Sequence, residues 1–571
     1  MMNRIIEVIH AKKSAAQLNG LHAMNASEVF VKALLKEGVR YIFGVPGEEN
    51  IDFLEAVRRA GMEFVLTRHE QGAGFMADVY GRLTGKPGVC LATLGPGATN
   101  LITPVADAFL DRSPLVAITG QTDTLRMHKE SHQFIDIVSM FKPITKWNTR
   151  ITQPDMVAEA VRKAFKLAEA EKPGATHLEF PEDVAEETCE KPEFFEVRKV
   201  RRPSPDYKAV DQTLQLLLKA KKPLILAGNG AIRKRATKQL RLFLGKTGLA
   251  ICNTFMGKGA AGYEYPFNLY TIGLRSRDHV TCAFDEADLI ITLGYDIVEY
   301  SPQFWNPDGD KRIVHIDFEP AEVDYWYDPE IELVGDIAGS LWELNERIGD
   351  DFDKSKNQWA LKHRKPILKD IHEHDDDTGF PIKPQKILHD VRQVLGDEDI
   401  LISDVGAHKM WIARNYVVHE PNTCLISNGF ASMGIALPGG IAAKLVYPDR
   451  RVLTISGDGG FMMNVQELET AVRLGTPTVN MVWTDGTFGL IEWHQEKKFG
   501  HAFGTRFGNP DWQKLVKSFG ARAISVKKGD DLQKVLKGAF RSKVPVVIDV
   551  PVDYSENIKL TKRLGALVCP V

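Results

Sequence analysis

The sequence predicts an α/β chain built as three doubly wound parallel-sheet domains. Short apolar runs recur along the 571 residues and end in Gly, Pro or Asp, as buried strands do. Helical patterns separate these runs, and strand–helix alternation implies parallel pairing. Two charged stretches, 190–202 and 350–377, divide the alternation into three blocks.

Residues 1–24 read as an extension. Met1-Met-Asn-Arg-Ile-Ile-Glu-Val-Ile-His10 lacks the apolar core and small-residue cleavage site of a secretory leader. Glu7 and the shortage of Arg speak against a transit peptide. The first domain is expected over 25–189. Asn25-Ala-Ser-Glu28 offers a capping box to a helix whose apolar face includes Phe30, Ala33 and Leu34, with Gly38 as its stop. Buried strands are expected at 41–46, 89–93, 115–119 and 176–180. The stretch 190–202, with Pro192, Pro203 and Pro205 nearby, reads as a linker.

The second domain is expected over 207–345, with strands at 223–227, 288–293 and 312–317. Gly228-Asn-Gly230 after its first strand is half of a nucleotide-binding turn. The full G-x-G-x-x-G fingerprint is absent, so a plain turn is expected. Residues 350–377 read as a second linker or a surface helix. The third domain is expected over 384–555, with strands at 399–403, 451–457, 478–483 and 545–549. Its crossover helix carries Val465, Leu468 and Val472 on one face. Asn464 and Glu467 are candidate caps at its start, and Gly475 with Pro477 ends it. Residues 556–571 form a short basic tail.

Apolar residues make up 44% and charged residues 26%, the balance of an ordinary globular protein. A net charge of −3 gives no footing for a nucleic-acid partner. No apolar run approaches the roughly 20 residues of a membrane span. The cysteines at 90, 189, 252, 282, 424 and 569 form no C-x-x-C pair, which fits reduced thiols in a cytoplasmic chain.

Chemistry concentrates at strand ends. Gly457-Asp458-Gly459-Gly460 closes one apolar strand, and Thr484-Asp485-Gly486 closes the next after a helical crossover. Open parallel sheets bind ligands at that carboxyl edge. Glycines admit a diphosphate close to the backbone, and two carboxylates with phosphate oxygens suit Mg2+. A lone Gly-Asp-Gly also fits a plain turn. With a second acid after helix and strand, it is the pattern of enzymes that hold thiamine diphosphate. Glu70, in Thr67-Arg-His-Glu-Gln71, opens a small-residue helix, where an acid is favoured by the dipole. It is also placed to supply the single carboxyl that this cofactor needs at N1′ of its aminopyrimidine.

Further stretches sharpen this. They are Phe43-Gly-Val-Pro-Gly47, Arg68-His-Glu-Gln71, Gly81-Arg-Leu-Thr-Gly85, Gly95-Pro-Gly-Ala-Thr-Asn100, Ala106-Asp-Ala-Phe109, Gly120-Gln121 and Phe141-Lys-Pro-Ile-Thr-Lys146. Gly429-Phe-Ala-Ser-Met-Gly434 and Pro551-Val-Asp-Tyr554 follow later. Through them the chain resembles the acetolactate synthases from residue 25 to 560. The resemblance implies pyrimidine-binding, central and diphosphate-binding domains. It also implies active sites shared by two subunits, hence a homodimer or homotetramer.

The activity it implies is condensation of two pyruvates to 2-acetolactate and CO2 through a hydroxyethyl carbanion on thiamine diphosphate, with Mg2+. Another thiamine-diphosphate 2-keto-acid decarboxylase or carboligase, using a different acceptor, is the alternative. Matched residue by residue, Glu70 is the N1′ acid. Gln121 lies near the substrate, and Lys129, His132 and Gln133 resemble a Lys-x-x-His-Gln run of catabolic synthases. Asp458 and Asp485 are side-chain metal ligands, and Thr487 offers a backbone carbonyl. Gly406, His408, Gly459 and Gly460 match donors to the diphosphate, joined in cofactor binding by Gly47, Pro96 and Gly457. Met433 matches the hydrophobe that bends the cofactor. Leu490 belongs, with Trp493 and the 495–507 stretch, to a mobile segment over the site.

Departures from the family pattern are informative. Thr484-Asp485 stands where an Asn-Asn pair is usual, and Glu48-Glu49-Asn50 follows Pro46-Gly47 in place of small residues or a lysine. Gly294-Tyr-Asp-Ile-Val-Glu-Tyr300 replaces the arginine-bearing flavin signature, so FAD is not expected.

Overall fold

The structure, a computed structural model, describes residues 24–190, 192–274, 279–349 and 352–557. Most of the expected N-terminal extension and of the basic tail lies outside these residues. The described chain divides into two compact units. One comprises residues up to 81 with 85–109 and 113–200, and the other residues 82–84, 110–112 and 201 onward.

The first unit holds a six-stranded sheet. Its strands are β1 (Tyr41–Gly44), β2 (Glu63–Leu66), β3 (Gly88–Ala92), β4 (Leu115–Gln121), β5 (Trp147–Arg150) and β6 (Ala175–Pro181). Their spatial order is β2-β1-β3-β4-β6-β5, all parallel. The helix Ala26–Glu37 forms as its caps require: Asn25 and Glu28 make the reciprocal capping box, and Gly38 closes it at φ 80°. Its buried face of Val29, Phe30, Ala33 and Leu34 packs with Val89, Val116 and Leu178 in one core.

Two further six-stranded parallel sheets lie in the second unit. The first has β7 (Pro223–Ala227), β8 (Ala250–Asn253), β9 (Asn268–Thr271), β10 (Leu289–Leu293), β11 (Ile313–Asp317) and β12 (Ile331–Val334). Its order is β9-β8-β7-β10-β11-β12. The other has β13 (Ile400–Ser403), β14 (Cys424–Ile426), β15 (Val452–Gly457), β16 (Val479–Thr484), β17 (Arg522–Ser525) and β18 (Val546–Pro551). Its order is β14-β13-β15-β16-β18-β17, the winding of the first unit's sheet. Three doubly wound parallel sheets are thus present, as the sequence predicts. Central strands are buried along their whole length, which selects their apolar composition.

Several local expectations are corrected. The crossover after β15 is two helices, Asp458–Met463 and Glu467–Arg473. Asn464 does not cap the second: its amide donates to Gly434 O at 2.8 Å, and Gln466 is the N-cap. Of the linker and surface-helix readings of 350–377, the described residues from 352 take the helical one, and it is anchored in a core. The helix Leu361–His372 buries Ile367 and Ile371 in the core of Leu224, Phe284 and Ile290. Cys90, Cys189, Cys252 and Cys424 are free and buried, but Cys282 is disulfide-bonded, against the expectation of six reduced thiols. Spacing along the chain does not show which cysteines a fold brings together.

Close packing between strand and helix sets a first testable consequence. A Cβ on Gly88 would lie 2.0 Å from the Ala77 backbone oxygen, inside the helix Glu70–Thr84. Gly88→Ala must push that helix off the sheet. We expect a loss of about 1–3 kcal/mol, read from the urea midpoint.

Candidate active site

In an open parallel sheet the crevice lies where the strand order reverses, beyond the carboxyl ends. In the first unit that point is between β1 and β3. The segment after β1 carries Gly47, Glu49 and Asn50, and the segment after β3 carries Thr93 and the helix Gly95–Asn100. Thr93 Oγ1 donates to Glu49, and Asn50 Nδ2 donates to Ala92 O at 3.1 Å. Of the three-residue departure after Gly47, Glu49 and Asn50 are therefore turned onto β3, and Glu48 is exposed.

Glu70 is the first residue of its helix, with His69 as N-cap. Its Oε2 accepts from Asn100 Nδ2 at 2.9 Å. Its Oε1 faces Gly97, where a Cβ would stand 3.3 Å away. The carboxylate is half-buried. Gln133 O lies 2.4 Å from the place of a Cβ on Gly95, and Gln133 holds φ 57°. The fold thus brings Glu70, Asn100, Gly97, Gly95 and the Gln133 backbone together, with Pro96 exposed at the same turn. The side chains of Lys129, His132 and Gln133 are exposed. Gln121 is fully buried at the end of β4.

The corresponding reversal in the third sheet falls between β13 and β15. After β13 come Asp404, Gly406 and the helix Ala407–Asn415; after β15 comes Asp458 at the start of a helix. Asp458 is buried. Its Oδ2 accepts from Asp485 N at 3.2 Å, Gly486 N at 2.7 Å and Asn509 Nδ2 at 2.7 Å, and its Oδ1 from Gly459 N at 2.9 Å. Asp485 Oδ1 accepts from Thr487 N at 3.3 Å. Although Asp485 is exposed as a residue, the neighbourhood of its carboxyl is crowded. Burial, then the like charge of Asp458, pushes it up to about 7. Thr487 is also tied to the strand-like pair with Arg506.

His408 is buried, which pulls its imidazole down to about 3 and keeps it neutral. Its Nε2 has no hydrogen-bond partner, and neither has Asn509 Oδ1. Such orphaned buried atoms call for a missing partner. Gly457, beside His408, leaves the backbone open there. Met433 is half-buried in the loop before Gly434, and Leu490 is half-buried against the core that holds Trp411, Ile455 and Trp483. The helix Gly489–Phe499 has no buried residue, and Phe488 packs at a tilt of 57° against Phe507 beside Gly459.

The residues fit a diphosphate and a divalent ion. Two neighbouring carboxylates need a cation to offset their repulsion, and a neutral imidazole with an unpaired nitrogen stands nearby. No group of three or more His, Cys, Asp or Glu suited to a metal occurs among the described residues. An ion at Asp458 and Asp485 would therefore complete its shell from the Thr487 carbonyl, water and a bound anion.

Sequence reasoning missed several members. Asp404 is buried and accepts from Val405 N at 2.7 Å, Gly434 N at 2.8 Å and Ser456 Oγ at 3.3 Å. Burial pushes it up to about 6, and Gly460 packs against it. Asn509, Asn100 and Glu179 were also missed. An acid inside an expected buried strand, 176–180, was the available signal for Glu179. Asn100 stood in a quoted motif, but nothing in its spacing paired it with Glu70.

Comparisons with known proteins agree with this layout. Residues 24–140, 210–344 and 404–550 match the N-terminal TPP binding, central and C-terminal TPP binding domains of thiamine pyrophosphate enzymes. The chain is 36% identical over 570 residues to an acetolactate synthase of Bacillus subtilis, covering 97% of this chain and 99% of the relative. It is 33% identical to a catabolic acetolactate synthase of Raoultella terrigena, covering 95% and 97%. It is 31% identical to the large subunit of acetolactate synthase isozyme 2 of Escherichia coli, covering 94% and 97%.

Proposed function

This chain belongs to the acetolactate synthase family, and on that footing we propose that it condenses two pyruvates into 2-acetolactate and CO2 with thiamine diphosphate and Mg2+ bound. The observation that carries the reading is the placement of Glu70 and of the Asp458–Asp485 pair. Each lies at the carboxyl edge of a sheet of the same winding. When bound, thiamine diphosphate would supply a thiazolium ring whose C2, after losing its proton, adds to a keto group, the cationic ring accepting the electrons released with CO2.

The chain's own residues bind and orient. Glu70 holds a proton-sharing contact to the aminopyrimidine N1′ and is kept in place by Asn100. His408 and the amides of Gly459 and Gly460 would line the diphosphate, the Gly459 amide giving up its bond to Asp458 Oδ1. Asp458 and Asp485 hold Mg2+, with Thr487 adding its carbonyl. Met433 would pack against the bound cofactor. Lys129 and Gln133, on the segment that the buried Gln121 amide anchors through Ile135, receive the keto acid. The helix Gly489–Phe499, with Leu490, Trp493 and Phe488, covers the site and excludes water from the reacting carbon.

Flavin has no part in this reading, and the support is local. The Gly228-Asn-Gly230 turn after β7 is where a nucleotide phosphate would be received. Its Asn229 amide already donates to Glu299 Oε1 at 3.0 Å, and Thr254 Oγ1 donates to Oε2 at 2.5 Å. The Glu299 carboxyl therefore takes the anion position, and the Asn229 backbone N–H that a phosphate would need is already committed to it. Protein purified without flavin should be colourless and no less active than after FAD is added. Activity appearing only with FAD would overturn this.

A homodimer or homotetramer is the assembly we read, as in the family. The exposed Ile491, Phe499 and Phe503 support it as apolar surface for a second copy. No described helix is long and apolar enough to cross a membrane, and we place the enzyme in the cytoplasm. Pyruvate incubated with the enzyme, thiamine diphosphate and Mg2+, then acidified, should give acetoin. Acetaldehyde in its place would make the chain a decarboxylase.

A further inference from the structure

Glu179 is fully buried in β6. It stands opposite Arg150 of β5 and Thr119 of β4, so Gln121 is its diagonal neighbour on the same face. Arg150 Nε donates to Glu179 Oε1, and Gln121 Nε2 donates to Oε2 at 3.1 Å. The second Nε2 hydrogen goes to Ile135 O at 3.1 Å, and Gln121 Oε1 accepts from Thr122 N at 3.0 Å. Only one amide orientation satisfies this set. The reverse would set the amide oxygen against a carboxylate and a carbonyl.

The arrangement also holds the segment 122–135 at both ends. Ile135 is tied through Gln121 to Glu179. At the other end Asp123 N donates to Glu182 at 3.0 Å and Thr124 N to Asp183 at 3.1 Å. Lys129, His132 and Gln133 lie on this segment. A buried ion pair is often no more stabilising than a hydrophobic replacement. Its presence at the end of three strands beside the candidate site therefore points to a positional role.

We propose that Glu179, held by Arg150, is a positioning residue for pyruvate, acting through the Gln121 amide and the segment it anchors. This rests on the reading above that the segment carrying Lys129 and Gln133 faces the substrate. The test uses the full chain with thiamine diphosphate and Mg2+, after the wild type has been shown to form acetolactate. Glu179→Gln should raise KM for pyruvate by about tenfold or more, with kcat and cofactor affinity changed by less than about threefold. In a Gln121→Ala background the same change should alter KM by less than about twofold, because its route is already cut.

Arg150 is 28% exposed at the sheet edge, so water can reach the place of its side chain, and its variants give a second, independent reading of the pair. Arg150→Gln should raise KM as Glu179→Gln does, and Arg150→Lys should recover most of the loss. An unchanged KM with a lowered Tm in both single variants makes the pair merely structural and overturns the proposal. Effects that multiply in the double variant overturn the route through Gln121. A wild type that forms no acetolactate overturns the functional reading and this inference with it, whereas an unchanged KM in an active enzyme overturns the positioning role alone.

Discussion

Glu70→Gln is expected to leave a folded protein that binds cofactor and forms almost no acetolactate. The amide keeps the shape of the carboxylate and can still accept from Asn100, so the helix start survives. What is lost is the charge. An ionised acceptor makes the stronger hydrogen bond, and the aminopyrimidine contact depends on it. Acid–base assistance of this kind contributes about 10²–10⁴ in rate, and the turnover number should fall by that order. The helix loses one favourable charge at its N-terminus, about 0.3–1 kcal/mol. Exchange of the cofactor's thiazolium proton with deuterium, followed by NMR, separates the two effects. Unchanged exchange in the variant would remove Glu70 from the role.

Asp458→Ala should lose the metal and the cofactor outright. The wild-type carboxylate receives four donors, from Gly459, Asp485, Gly486 and Asn509. It therefore both organises the two loops and presents charge to a cation. Asp485→Asn is milder: the amide oxygen can still ligate, and one negative charge is gone. Like-charge repulsion between the pair costs on the order of kcal/mol even at moderate effective dielectric. We expect activity to persist in Asp485→Asn with a weaker metal requirement. In the wild type, chelation of Mg2+ should release the cofactor at neutral pH. Quenching of protein fluorescence by cofactor, titrated with Mg2+, reads all three proteins. If Asp485→Ala bound metal and cofactor as well as wild type does, Asp485 would be a turn residue.

The strands that could be read in advance were those buried on both faces. β3, β4, β7, β10, β13, β15, β16 and β18 are mostly apolar and almost wholly buried, because helices cover both sides of a parallel sheet. The unseen strands lie mostly at edges. Glu63–Leu66, Trp147–Arg150, Cys424–Ile426, Arg522–Ser525 and Ile331–Val334 each pair on one side only, and most are partly exposed or very short. Their composition is accordingly mixed. β8 was missed although it is interior, because Ala250-Ile-Cys-Asn253 is too short to show a period.

The sequence by itself determined the fold class, the helix stops, and the acids and glycines at strand ends. Such features are local: a cap, a turn or a buried run is dictated by neighbours within a few residues. Glu70, Asp458, Asp485 and the Gly457–Gly460 turn were legible for that reason, helped by a family resemblance along the chain. Only the tertiary structure decided which residues support them. Asn100 reaches Glu70 from another helix, Asn509 reaches Asp458 across the turn after Phe507, and Glu179 meets Gln121 and Arg150 across neighbouring strands. It also placed Glu299 on the Gly228–Gly230 turn and turned Asn464 from a helix cap into a brace for Gly434. These pairings join residues far apart in the chain, and a hydrogen bond of that kind leaves no spacing to read. Its partners are chosen by strand order and register, which exist only once the sheets have formed.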